Sequence, residues 1–416
     1  MKTKSILSIL TAVILSVLFF SCDNNMVNYS DVSGKIYYGN YYPAANLKIT
    51  IGDAVTKTAN DGSFKIPNVS YPYNINILDS ARGNVYIFKK LSTDKINFTL
   101  DNYTSGYFSA TIKVKVPDSL MTNGKKGKLI FTDGQYVNSY ANISTLSPTS
   151  MFDVGLQDIN PVTGKLILLA YKLNSFGNIY SYENFGLKTD ISINAGLIYN
   201  ITFDSSEIAF DPGEEIISGT VIPTPEYNET GSEFVLSFTG KQIHDINGSN
   251  SFGGASGILY DLIVPTGLPV PYTTYVLKEF WNGQNYSGEF FPVYLNSPNT
   301  YEMKLPPELI TPENNAANVN DAVMFSFSEG TGKGIFEIFL YDRSNNIHYR
   351  IFTASNNFTL KDFDQSGFGS VSNHEFEWIV KKAGVYNSMN EFAGNQFNNA
   401  NWFSSTSEYR RFYTQP

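Results

Sequence analysis

The chain of 416 residues contains one cysteine, Cys22, and three histidines, His244, His348 and His374. A lone cysteine excludes a disulfide framework and a thiolate metal site, so folded modules must be held by their apolar cores alone. None of the histidines has a partner at metal-ligand spacing, and no H-E-x-x-H occurs; they read as surface or edge residues. Beyond the amino terminus no run approaches the ~18 apolar residues of a membrane helix. The nearest, Leu166 to Tyr171, is closed by Lys172 and reads as a buried strand. Only 16% of the residues are charged, and no dense Lys/Arg cluster occurs. With a formal net charge of −9, that argues against nucleic acid as a partner. Lys125, Lys126 and Lys128 follow Asn123-Gly124 and read as a solvated hairpin tip.

Catalytic motifs are equally scarce. Gly254-Ala255-Ser256-Gly257 lacks the G-x-S-x-G spacing of a nucleophile elbow, and no phosphate-cradling G-x-G-x-x-G precedes a helix. Asp362 to Gly367 begins like a calcium loop, but its twelfth position is Asn373 rather than Glu, so it reads as a polar connection. Facing carboxylates for glycoside hydrolysis are set only in three dimensions and stay open as a minor reading. The expectation is a non-enzyme with no metal and no cofactor.

What is present begins with an export segment. Lys2 and Lys4 precede an apolar run from Ile6 to Phe20, too short and too poorly flanked for a stable membrane span. Phe19-Phe20-Ser21-Cys22 follows and resembles the bacterial lipobox, with Phe19 where an aliphatic residue is usual. The resemblance implies a signal peptide over 1–21, lipid on Cys22 and a tether over 22–30. Two or three acyl chains anchor stably where one is marginal. The expected site is the bacterial cell envelope, at the outer membrane.

Apolar residues then alternate with period two: Leu47, Ile49 and Ile51; Ile112, Val114 and Val116; Phe336, Ile338 and Leu340; Phe376, Trp378 and Val380. No window of helical length shows a convincing 3.6-residue period. Asp61-Gly62, Asn123-Gly124, Asp133-Gly134 and Asn282-Gly283 punctuate the runs as turns. The pattern predicts an all-β chain of tandem β-sandwich modules over 31–102, 103–210, 211–305 and 306–416. Val32 to Ile36, Phe108 to Ile112 and Ile217 to Val221 look alike as opening strands. Gly177 to Ser181 matches Gly283 to Ser287, and Tyr199 to Phe203 matches Tyr301 to Leu305 more weakly. The middle modules thus read as a diverged tandem duplication.

Val32-Ser33-Gly34-Lys35-Ile36, Pro43 to Ile49, and Thr58 to Val69 with Asp61-Gly62 as a tight hairpin resemble the carboxypeptidase-regulatory-like (transthyretin-like) domain. That resemblance implies a small, non-catalytic, seven-stranded sandwich, with Phe64 and Ile66 in its core. Leu309 to Asn314, Phe325-Ser326-Phe327, Phe376 to Val380 and a closing strand within Ser404 to Tyr413 resemble a fibronectin type III-like module, implying a spacer or binding platform.

Aromatics supply the candidate binding residues. Tyr37, Tyr38, Tyr41 and Tyr42 surround Gly39-Asn40, and Trp281 and Tyr286 flank Asn282-Gly283. Flat rings with a polar edge suit sugar faces and protein hot spots, and equally suit cross-strand packing. Trp378, mid-strand, is expected in the core. The sequence therefore reads as a lipid-anchored surface protein whose modules bind carbohydrate first, or an envelope protein second. The alternative is a structural spacer or accessory subunit, with a carbohydrate-active hydrolase third.

Overall fold

The computed structural model describes residues 29–38, 43–100, 108–122, 124–134, 138–144, 148–156, 161–175, 177, 179–208, 210–222, 229–237, 244–245, 258–270, 273–281, 286–292, 299–302, 304–363, 372–384, 386–395 and 403–416. Over these the chain is strand after strand, interrupted by short 3-10 turns and one seven-residue helix. The all-β class read from the alternation is therefore the observed one.

The first unit contains β1 (Tyr29–Tyr38), β2 (Lys48–Ile51), β3 (Ala54–Lys57), β4 (Ser63–Ser70), β5 (Tyr73–Asp79), β6 (Asn84–Leu91) and β7 (Lys95–Leu100). Its strands run β4-β1-β7 in one sheet and β3-β2-β5-β6 in the other. The second contains β8 (Phe108–Lys115), β9 (Lys126–Thr132), β10 (Asn138–Ser144), β11 (Thr149–Leu156), β12 (Val162–Leu173), β13 (Ile179–Ile193) and β14 (Ile198–Thr202). Here the orders are β11-β8-β14 and β10-β9-β12-β13. The third contains β15 (Glu214–Ile222), β16 (Glu229–Ser237), β17 (His244–Asp245), β18 (Ile258–Pro265), β19 (Thr273–Trp281), β20 (Tyr286–Pro292) and β21 (Asn299–Glu302), ordered β18-β15-β21 and β17-β16-β19-β20.

Numbered within each unit, all three have one topology, 4-1-7 and 3-2-5-6. In each the opening strand is central, antiparallel to the fourth strand and parallel to the seventh. The sequence matches fall at comparable places: 177–181 and 283–287 lead into the sixth strand, while 199–203 and 301–305 overlap the end of the seventh. Alternation explains why these strands pack: Ala110, Ile112 and Val114 of β8 are buried, while Lys113 and Lys115 are exposed. In β12 the run from Leu166 to Tyr171 is buried at every position, not at every second one. Leu166, Leu168 and Ala170 enter the unit's core, and the opposite face is covered too. A strand covered on both faces reads as a continuous apolar run.

The fourth unit contains β22 (Leu309–Thr311), β23 (Ala316–Val319), β24 (Met324–Phe327), β25 (Ile335–Asp342), β26 (Ile347–Thr353), β27 (Asn357–Thr359), β28 (Glu375–Gly384), helix α1 (Met389–Asn395), β29 (Phe403–Thr406) and β30 (Arg410–Thr414). Phe325, Phe327, Phe336, Ile338, Phe376, Trp378 and Phe412 form its core. The expected single closing strand is in fact two, β29 and β30. They part at Ser407, whose hydroxyl accepts the Val380 amide (3.0 Å) and donates to the Glu408 carbonyl (2.9 Å).

Two turn expectations are corrected. Asp61-Gly62 does not close a hairpin, because β3 and β4 lie in different sheets. Gly62 has φ 76°, and a Cβ there would sit 2.3 Å from the Ile36 carbonyl oxygen, so the crossing needs glycine. Phe64 and Ile66 still enter the core. Nor do the three lysines form a solvated hairpin tip: Lys126 is exposed, but its two companions are not. Gly124 turns the chain out of a 3-10 turn (Asp118–Met121) and delivers β9 between β10 and β12. Lys128 is thereby buried, with Nζ 4.4 Å from the Tyr140 ring centroid, and Lys125 pairs with Glu183 at 3.3 Å.

The largest departure concerns how the units meet. They are not a row of separately held sandwiches. One sheet runs β17-β16-β19-β20-β29-β28-β25-β26-β6-β5-β2-β3, through the third, fourth and first units. β26 adds to β6 in parallel, His348–Phe352 against Asn84–Phe88. β29 adds to β20, Thr406–Phe403 against Tyr286–Glu289. His348 and Trp281 therefore lie in interior strands of this sheet. The first unit's core takes in Ile335, Phe352, Tyr386, Met389, Phe392 and Ala393 from the fourth. Phe98, Phe88 and Phe352 stack with centroids 3.6 and 4.5 Å apart, and Phe392 follows at 5.3 Å from Phe352. An open strand edge is a liability, and each unit's sixth strand has a cover. For β6 and β20 it is a strand of the fourth unit. For β13 it is the link into the third unit and the first residue of β15: Phe185 N–H donates to Phe210 O, and Tyr182 N–H to a Glu214 carboxylate oxygen, both 2.9 Å.

Tyr38, Tyr73 and Tyr386 lie in this shared core. Burial pushes their phenols above the ordinary 10.0, Tyr386 up to about 12. Since the folded values lie above the unfolded one, their stabilisation is complete below pH 10.0 and is lost as pH rises through the folded values. The melting temperature should fall once the pH passes that point, with these phenolates absorbing only on unfolding. Titration of every tyrosine near pH 10.0 in a still-folded protein would refute this.

Candidate functional site

Tyr37 and Tyr38 end β1 beside Thr99 and Leu100 of β7. Alternation leaves Tyr37 half-buried and turns Tyr38 inward, where it is 5% exposed. The Tyr38 hydroxyl donates to Asp79 Oδ2 (3.1 Å) and accepts from Arg82 Nη1 (2.7 Å). Arg82 also pairs with Asp79 at 2.7 Å and lies 4.5 Å from the Tyr38 ring centroid. Tyr38 is thus a core residue with its polar edge occupied, and the face a ligand would need is spent on packing. The expectation for Tyr41 and Tyr42 lies outside the described residues.

The backbone brings Trp281 and Tyr286 together. Trp281 ends β19, Tyr286 begins β20, and the two are a register pair across the hairpin. Trp281 also stands opposite Glu229 of β16, and Tyr286 opposite Thr406 of β29. The hairpin strands are therefore flanked by β16 of their own unit on one side and β29 of the fourth unit on the other, which the sequence did not indicate.

Several tyrosines that the sequence reading passed over are exposed: Tyr29, Tyr140, Tyr180 and Tyr409. Tyr140 and Tyr180 occupy outward positions of β10 and β13, which period-two counting from their buried neighbours could have marked.

Polar constellations in the described residues have structural partners. Asp342 is fully buried; it accepts the amides of Ser344 (2.9 Å) and Asn345 (3.2 Å), and His374 Nδ1 lies 2.9 Å from it. Together they fix the turn between β25 and β26. Glu337, 4% exposed, accepts Arg350 Nε at 2.5 Å, and the Arg350 guanidinium lies 4.6 Å from the Phe339 ring centroid. Among the described residues no group of three His, Cys, Asp or Glu could hold a metal ion, and no helix is long and apolar enough to cross a membrane. The glycine loop at 254–257 and most of the calcium-like segment lie outside the described residues.

No family model matches this chain, and no curated protein matches it. Solved structures that resemble it include a candidate adhesin from Bacteroides ovatus, 9% identical, covering 49% of this chain and 90% of that one, with a TM-score of 0.17. A leucine-rich repeat protein from Bacteroides thetaiotaomicron is 13% identical, with 47% of this chain and 26% of that one covered and a TM-score of 0.15. Likenesses this slight carry no argument about what this chain does.

Proposed function

We propose that this chain is a non-enzymatic lipoprotein of the bacterial cell envelope, anchored at the outer membrane through Cys22, whose β-units present a binding surface for carbohydrate first and protein second. The observation that carries the reading is the place of the single cysteine, directly after Ser21 at the close of the apolar run. The register pair of Trp281 and Tyr286 supports a binding role, since it puts two aromatic positions opposite one another on neighbouring strands, and aromatic residues suit sugar faces. The sheet shared by the first, third and fourth units favours a second reading, a stiff spacer within an envelope complex.

The test is paired. Cys22→Ser should move the protein from the membrane fraction to the soluble fraction; unchanged partition rejects the anchor. On a glycan array the purified chain should be retained, and Trp281→Ala should weaken retention while leaving the melting temperature nearly unchanged. An array without any hit, or a Trp281→Ala chain that unfolds, rejects the carbohydrate reading and leaves the spacer.

A further inference from the structure

In each of the first three units the strand by which the chain enters lies beside, and parallel to, the strand by which it leaves. β1 pairs with β7 from Ser33–Lys95 to Tyr38–Leu100, β8 with β14 from Thr111–Ile198 to Lys115–Thr202, and β15 with β21 from Gly219–Asn299 to Ile222–Glu302. Neighbouring parallel strands have a mechanical property that antiparallel neighbours joined by a tight turn lack. A pull on the start of the first strand and the end of the last acts along both strands in opposite senses. It strains the whole ladder at once, in shear. A pull across the near ends of an antiparallel pair loads one bond at a time and unzips it. Rupture under force follows the unfolding barrier along the pulled direction, not equilibrium stability.

We infer that these units bear tension: the chain transmits pulling force from its amino-terminal anchor to whatever its later units hold, each unit resisting through its parallel entry and exit strands. The inference rests on the anchored reading for its biological setting, but its physical content does not depend on that reading. Force entering at the amino terminus loads β1 against β7; beyond the first unit it divides between β8 and β14 of the second unit and the long sheet that ties the first, fourth and third units together. The second unit isolates the effect, because its strands form two sheets of their own, outside the long shared sheet. Its parallel ladder is bounded by backbone hydrogen bonds at both ends, Gly196 N–H to Ser109 O at 2.7 Å and Phe203 N–H to Lys115 O at 2.9 Å. Lys113, Lys115, Asn200 and Thr202 on these strands point outward, so the ladder is not doubled by side-chain interlocking on that face.

The experiment is single-molecule pulling of the full chain in two directions. In a Cys22→Ser background, handles at Ser109→Cys and Thr202→Cys load β8 and β14 in shear. Handles at Ser109→Cys and Gly155→Cys sit on a register pair of the antiparallel strands β8 and β11, and load that pair as a zipper. Shear should require at least about twofold more force than unzipping, although both proteins melt at the same temperature. Equal forces, or a weaker shear direction, overturn the inference. Should either cysteine pair lower the melting temperature, handles at Tyr29 and Thr99 against Tyr29 and Ser70 pose the same question in the first unit, with the same two outcomes. Loss of the lipid anchor would be read by fractionation and would leave the force ratio untouched, so the two proposals fail separately.

Discussion

Trp378→Ala should cost about 3–5 kcal/mol of stability, measured by denaturant unfolding, as for other buried large aromatics. The side chain is fully buried, with Phe325 edge-on at 5.3 Å and Phe358 at 6.0 Å. Its neighbours belong to both sheets of the fourth unit, so no single strand can shift to close the cavity. The indole Nε1 is buried without an acceptor. Trp378→Phe should therefore lose far less than alanine, because it keeps most of the volume and removes a donor that has no partner. An alanine variant that loses under about 1 kcal/mol would mean that the core collapses freely around the gap.

Phe352→Ala should loosen the first unit from the fourth, at a cost of about 3–5 kcal/mol. Phe352 is a residue of the fourth unit, yet it stacks on Phe88 at 4.5 Å and interplanar 10° inside the first unit's core. The decisive measurement is a double-mutant cycle with Phe88→Ala. Two rings in one stack should couple by about 0.5–3 kcal/mol, whereas separate modules would give costs that add. Hydrogen exchange should rise together over 84–91 and 347–353, because β6 and β26 share one ladder. Additive costs, with exchange rising in one strand only, would sink the idea of a shared core. The same clasp includes buried Glu337 with half-buried Arg350 beside Phe339, and α1, whose Asn390 side chain accepts the Ser92 amide at 2.7 Å.

One of these elements was open to reading. Ser388-Met389-Asn390-Glu391 has the S-x-x-E spacing of a capping box, and the Ser388 hydroxyl does accept the Glu391 amide at 3.2 Å. The helix has seven residues, too short for a 3.6-residue period to show against the surrounding strands. The candidate site divides in the same way. That Trp281 and Tyr286 meet across a hairpin follows from the turn residues between them. That β29 lies beside Tyr286, or that Tyr38 turns inward to Asp79 and Arg82, depends on segments distant in sequence.

The sequence by itself determined the all-β class, the buried run from Leu166 to Tyr171, the likeness of the three opening strands and the core position of Trp378. Each of these is written in local alternation or in apolar continuity, because neighbouring strand residues face opposite sides and a covered face must be apolar. Tertiary structure alone decided that one strand order is used three times, that the fourth unit closes the edges of the first and third, and that Asp61-Gly62 crosses between sheets. An exposed edge offers the same backbone N–H and C=O groups whatever its side chains, so the strand that fills it leaves little mark in the local pattern. Partner choice at β6 was settled instead by the aromatic stack of Phe98, Phe88, Phe352 and Phe392, assembled from positions hundreds of residues apart.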